Sequence, residues 1–77
     1  MPTRSIGERA ASAIRDRAKQ NGIPVEAEAL KVYVSRKVIC DWEVHNRNPQ
    51  AYFLQQMALA GYDIYWILTG GKNGENQ

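Results

Sequence analysis

Apolar residues recur along this chain at three- and four-residue intervals, the spacing of helices with one buried face. Ser5-Ile6-Gly7-Glu8 has the form of a capping box, and Ile6, Ala10, Ala13, Ile14 and Ala18 follow on one face, joined by the stem of Arg17. Glu8, Arg9, Arg15, Asp16 and Lys19 fall on the polar side, and Asn21-Gly22 is a helix stop. A second, short helix over roughly residues 24 to 32 starts with Pro24 in its first turn. Val25, Ala29 and Val32 share its inner face, with Ala27 and Leu30 broadening it. Tyr33-Val34 is a tight link into a third helix, Ser35 to Val44, so the two form a helix-turn-helix unit.

The third helix divides most sharply. Val38, Ile39 and Trp42 lie on one side, while Arg36, Lys37, Cys40, Asp41 and Val44 recur on the other. After the polar loop His45 to Pro49 comes a fourth helix, with Ala51, Leu54, Met57 and Ala58 as its stripe, Phe53 beside it and Gly61 as its end. Asp63 caps a last short helix, Ile64 to Leu68, closed by Gly70-Gly71. No strand-length alternation competes. The pattern therefore predicts an all-α domain of five helices over residues 1–71 and a mobile polar tail over 72–77.

Composition narrows the function. A chain of 77 residues is one small domain, with no run long enough to cross a membrane and no apolar leader region at its start, so a cytoplasmic protein is expected. One cysteine and one histidine support neither a disulfide framework nor a Cys/His metal site, so no cofactor is expected and stability must come from packing or oligomerisation. There is no paired His/Cys or His/Asp arrangement and no phosphate-cradling glycine loop, which argues against an enzyme. The net charge of +2 is modest for a nucleic-acid binder, although a dimer doubles it.

The exposed side of the third helix nonetheless carries the chemistry of major-groove readout. Arg36 and Lys37 suit guanine or phosphate, and Asp41 can accept from cytosine. An ordinary solvated helix face would look similar. The flanks add to the picture: "VSRKVICDWEVHNRNP" and, further on, "LQQMALAGYDIYWILTGG" resemble the recognition helix with its following loop, and the last two helices, of lambda-repressor-like domains of the XRE/Cro, phage or prophage repressor type. Ala29, Val34, Ile39 and Trp42 stand at that family's packing positions, and the Trp66-Ile67-Leu68-Thr69-Gly70 ending is typical of it. The resemblance spans roughly residues 6 to 71.

The resemblance implies a transcriptional regulator, a repressor or Cro-like protein that binds a pseudo-palindromic double-stranded operator as a homodimer. Arg36, Lys37 and Asp41 stand where the family contacts bases, with Cys40 and Val44 beside them. Ser35, Asn46, Arg47 and Asn48 stand where it follows the DNA backbone. The aromatic and apolar residues of the last helix, Tyr62, Ile64, Tyr65 and Leu68 with Ile67 among them, suit a two-fold contact. Alternatives stay open residue by residue. Arg36 reads a base or pairs with an acidic neighbour, Asp41 reads cytosine or orients Arg36 or Lys37, and Cys40 is a small filler or a redox-sensitive thiol. The chain departs from the family pattern at Val25 (usually a phosphate-binding polar residue), Glu28 (usually apolar), Tyr33 (usually glycine) and Ala18 (usually a base facing the Glu after Trp), so Glu43 is expected to find Arg15 or another partner. Arg4 and Arg9 lie on DNA or in solvent. The rival reading is an antitoxin or similar module that uses the same fold chiefly to hold a protein partner.

Overall fold

The computed structural model describes residues 5–71; the expectations for Arg4 and for the 72–77 tail fall outside them. The described chain forms five helices and no strand: α1 (Ile6–Asn21), α2 (Val25–Leu30), α3 (Arg36–Glu43), α4 (Ala51–Leu59) and α5 (Ile64–Thr69). None of these helices is long and apolar enough to cross a membrane.

Local chemistry explains where the helices begin. The Ser5 hydroxyl accepts from the Glu8 amide at 3.1 Å and the Glu8 carboxylate accepts from the Ser5 amide at 2.8 Å, the reciprocal capping box. Ser35 caps α3 by accepting from Val38, and Asp63 caps α5 by accepting from Trp66. Pro24 is the residue before α2 and lies outside its first turn, and α2 stops at Leu30, two residues sooner than its sequence pattern suggests.

Three chain reversals share one geometry. After α1, the Gly22 amide donates to Lys19 O and Ile23 to Ala18 O; after α2, Tyr33 donates to Leu30 O and Val34 to Ala29 O; after α4, Gly61 donates to Ala58 O and Tyr62 to Met57 O. Each needs a left-handed residue at the turn. Gly22 (φ 67°) and Gly61 (φ 91°) supply it without steric cost, whereas at the second reversal the residue is Tyr33 (φ 63°).

Helix α1 packs against α2, α3 and α5, and α4 packs on α5. Its buried positions are small except for Ile14 and Arg9: Gly7, Ala10, Ala11 and Ala18. Ile14, Val32, Val34, Met57 and Ile67 are fully buried, with Ile39 and Trp42 completing the core from α3. Several positions differ from the pattern-based expectation. Ala27 and Leu30 of α2 and Ala51 and Ala58 of α4 face solvent, because each helix is short and meets the core along a narrow strip.

Arg9 is the largest correction on α1. It is 7% exposed, and its guanidinium donates to Ile67 O (2.8 Å) and Leu68 O (3.2 Å), so it bonds carbonyls in the last turn of α5. Arg17 acts in the same way at the end of α4, donating to Ala60 O (2.7 Å) and Gly61 O (3.1 Å) while stacking 3.7 Å above the Tyr62 ring.

Gly7 marks the tightest approach. A methyl group there would collide with the backbone oxygen of Arg47 and come within 2.9 Å of Trp42 O, so the chain leaving α3 lies directly on α1. Gly7→Ala is therefore expected to lower stability by about 1–3 kcal/mol, as overpacking against unyielding backbone does. Urea unfolding of the variant beside wild type checks this, and equal midpoints would refute the close approach.

Candidate nucleic-acid interface

Ile39 and Trp42 anchor α3 in the core, and Trp42 meets Phe53 of α4 edge-on at 6.0 Å between ring centroids. This fixes the helix's rotation. Arg36, Lys37, Cys40 and Val44 consequently face solvent together, with Asp41 half-buried at their margin. Ser35 is exposed at the start of the helix, its hydroxyl oxygen engaged in the cap. Asn46, Arg47 and Asn48 are exposed in the following loop, which turns back through an Arg47 amide bond to Asp41 O, with Asn46 left-handed at φ 57°.

The cations of this face are paired within the subunit. Arg36 Nη1 donates to Glu26 Oε2 of α2 at 2.6 Å, and Lys37 Nζ lies 3.6 Å from Asp41 Oδ2 one turn along α3. Both pairs are open to water, so each is worth about 1 kcal/mol or less and can be exchanged for another anion. The pairing makes real the acidic-neighbour alternative for Arg36 and the lysine-orienting alternative for Asp41. Sequence spacing does not single out Glu26, because a ten-residue separation across a turn carries no helical period.

Arg15 and Glu43 form a two-pronged bond across α1 and α3, at 2.6 and 2.8 Å. The Arg15 hydrogen bond holds the Glu43 carboxyl below its ordinary range, and Glu43 in turn raises Arg15. A groove of about 330 Å³ is lined by the Arg15–Glu43 and Arg36–Glu26 ion pairs together with Val25, Ile39, Cys40 and Val44.

Charge is distributed unevenly. No carboxylate occurs between Glu28 and Asp41 or between Glu43 and Asp63, whereas Lys31, Arg36, Lys37 and Arg47 all fall in those two segments. Within the helix-turn-helix unit these cations are balanced, since Lys31, Arg36 and Lys37 pair with Glu28, Glu26 and Asp41.

Of the residues expected to form a two-fold contact, Tyr62 and Ile64 are turned toward the core. Tyr62 is 7% exposed and its hydroxyl donates to Glu28 Oε2 at 3.1 Å, so it belongs inside the subunit and not on a face open to a second copy. Ile67 is fully buried and Ile64 packs half-buried on the core. Tyr65 and Leu68 do face solvent, and Leu59 at the end of α4, 77% exposed, joins the exposed apolar set.

Glu28 stands out in the sequence only as a departure from an apolar position, yet it centres a buried polar cluster. At 2% exposed, it accepts from Tyr62 and from Asn21 Nδ2 (3.0 Å), and Lys31 Nζ stands 3.4 Å away. Burial pushes its carboxyl up, but the two hydrogen bonds and the lysine outweigh that and leave it below the ordinary value. Tyr62 is pushed up to about 12, first by burial and then by the facing carboxylate. The cluster ties α2 to the end of α1 and the entry of α5.

Comparison with known proteins adds no relative: no protein-family model, no curated protein and no solved structure matches the chain.

Because the folded carboxyls of Glu28 and Glu43 sit below their unfolded values, their contribution is present above the ordinary carboxylate pKa and is lost as pH falls through the folded value. Glu28→Gln should cost about 1–3 kcal/mol at neutral pH and make the acid-side loss of stability shallower. Urea midpoints measured from neutral pH down to about pH 3 test this. At the alkaline end, one of the four tyrosines should titrate at about 12 by phenolate absorbance, and Tyr62→Phe should remove that step.

Proposed function

We propose that this chain is a lambda-repressor-like, XRE/Cro-type helix-turn-helix domain, a sequence-specific double-stranded DNA-binding regulator of the phage or prophage repressor or Cro-like kind. The observation that carries the reading is the division of α3. Its apolar side is anchored by Ile39 and Trp42, and its other side presents Arg36, Lys37, Cys40 and Val44 to solvent with Asp41 half-buried at their margin. A helix held at the surface in this way matches what a major groove admits.

In this reading Arg36 and Lys37 leave Glu26 and Asp41 to reach bases, and the released carboxylate of Asp41 is available to a cytosine amine. Ser35, Asn46, Arg47 and Asn48 set the register on phosphates. Two copies joined through the α4–α5 end, where Leu59, Tyr65 and Leu68 are exposed, would read half-sites about one helical turn, roughly 34 Å, apart. The same exposed apolar residues are what an antitoxin-like role would use to hold a protein partner.

Selection of bound duplexes from a random pool, with an Arg36→Ala/Lys37→Ala double variant alongside, tests the reading. An inverted repeat enriched by wild type and lost by the variant is expected; enrichment of nothing beyond salt-sensitive background would defeat it. On the selected operator, Arg36→Ala should lose about 1–3 kcal/mol and relax preference at one base position. Arg47→Ala should weaken all sequences alike and lower the salt slope by about one. An Arg36→Ala protein with wild-type preference would remove that residue from base readout.

A further inference from the structure

Asn21-Gly22 does more than stop α1. An asparagine followed by glycine is prone to deamidation, because no side chain obstructs the next backbone nitrogen as it closes on the carboxamide. Both residues are exposed, and nothing lies within 4 Å of where a Cβ on Gly22 would stand. The same carboxamide belongs to the Glu28 cluster. Asn21 Nδ2 donates to Glu28 Oε1 at 3.0 Å, while the Tyr62 hydroxyl donates to Oε2 at 3.1 Å. A chemically labile group at the surface therefore supplies one of the donors on a carboxylate that is 2% exposed.

We propose that Asn21 is a deamidation site, and that its conversion to a carboxylate opens the buried cluster around Glu28. In the reaction the Gly22 nitrogen bonds to Asn21 Cγ, and the side-chain nitrogen leaves as ammonia, carrying the Gly22 proton. Water then opens the cyclic imide to aspartate or isoaspartate.

The folded structure slows the first step without sealing it. The Gly22 amide is bonded to Lys19 O at 3.2 Å and the carboxamide is held on Glu28, so ring closure waits for the last turn of α1 to fray. That turn lies at an exposed helix end, where local opening costs far less than unfolding the domain.

Once formed, the new carboxylate cannot take the amide's place. It has no donor to offer Glu28 Oε1, and two carboxylates at hydrogen-bond distance cannot both stay ionised. Lys31, 3.4 Å from Glu28, can balance one charge and not two, and Arg17 is committed to Ala60 O, Gly61 O and the Tyr62 ring. Glu28 is left short of a donor away from water, and its ties from α2 to α1 and to the entry of α5 loosen together. Because the ammonia is lost, the change runs one way.

The test begins with the full chain held at mildly alkaline pH, folded and in urea, and mapped by peptide mass spectrometry, which separates position 21 from the Asn73-Gly74 pair. Acid at position 21 should accumulate in the folded chain, more slowly than in urea. A folded chain with no acid there once the urea sample has converted, or no acid in either sample, would overturn the site. The consequence is read from urea midpoints of Asn21→Asp, Glu28→Gln and the double variant. Asn21→Asp should unfold at lower urea than wild type. Glu28→Gln should cost clearly less in the Asn21→Asp background than in wild type, because donor and acceptor are then exchanged between the two positions. If Asn21→Asp is too unstable to fold, the double variant should still fold. A wild-type midpoint for Asn21→Asp, an undiminished cost of Glu28→Gln beside it, or a double variant that fails to fold would overturn the link to Glu28.

Discussion

Gly7, Ala10, Ala11 and Ala18 make α1 narrow enough for α2, α3 and α5 to reach it from different sides. In a domain this small, few large side chains can be wholly buried, and here Ile14, Met57 and Ile67 are the bulkiest that are. Close backbone approach substitutes for a larger core. At Gly7 the approach is so tight that the chain leaving α3 rests on helix backbone, and that contact helps to determine where the loop bearing Asn46, Arg47 and Asn48 can go.

Short helices carry a large share of unpaired end carbonyls, and α1 answers this with long basic side chains. Arg9 reaches Ile67 and Leu68, and Arg17 reaches Ala60 and Gly61, so the ends of α4 and α5 are held by guanidinium groups as well as by apolar packing. Glu28 ties α2 to its neighbours through side chains instead. Its partners are Asn21, Tyr62 and Lys31, and no buried side-chain polar atom lacks a hydrogen bond among the described residues. Such a network is costly to break piecemeal, because each remaining group would be left without a partner away from water. It holds α2 to the end of α1 and the entry of α5.

The resting state of α3 has consequences for selectivity. Arg36 and Lys37 are each paired with a carboxylate of the same chain, so under the proposed reading DNA would have to offer more than the pair already supplies. Because both pairs are exposed, the competition is mild in water and becomes sharper only when a close-fitting ligand excludes solvent. Bases that replace both the hydrogen bonds and the charge balance would satisfy that condition; phosphates met in passing would supply charge alone.

Helix number, most helix limits and the division of α3 were legible in the residues, since caps and three-to-four-residue spacing act over a few neighbours and need no tertiary information. The capping box at Ser5–Glu8, the stop at Gly22 and the caps Ser35 and Asp63 are all local in this sense. The Arg15 option for Glu43 was also open to inspection, because each lay on a readable helix face. Arg9, Glu28 and Tyr62 were not legible in the same way. Polar residues are ordinarily expected outside, and an aromatic near the end of a helical domain suits a surface patch as well as a core. Their burial depends on partners 58, 34 and 34 residues distant along the chain. Tyr33 shows the same divide: its sequence neighbours announce a turn, but only the assembled reversal, with Val34 bonded back to Ala29, forces a tyrosine into a glycine's conformation. Local pattern determined which residues form helices and which face of each is apolar. The long-range pairing of charged groups with distant carbonyls and carboxylates, which no local period encodes, decided which polar residues go inside and what surface is left over for a partner.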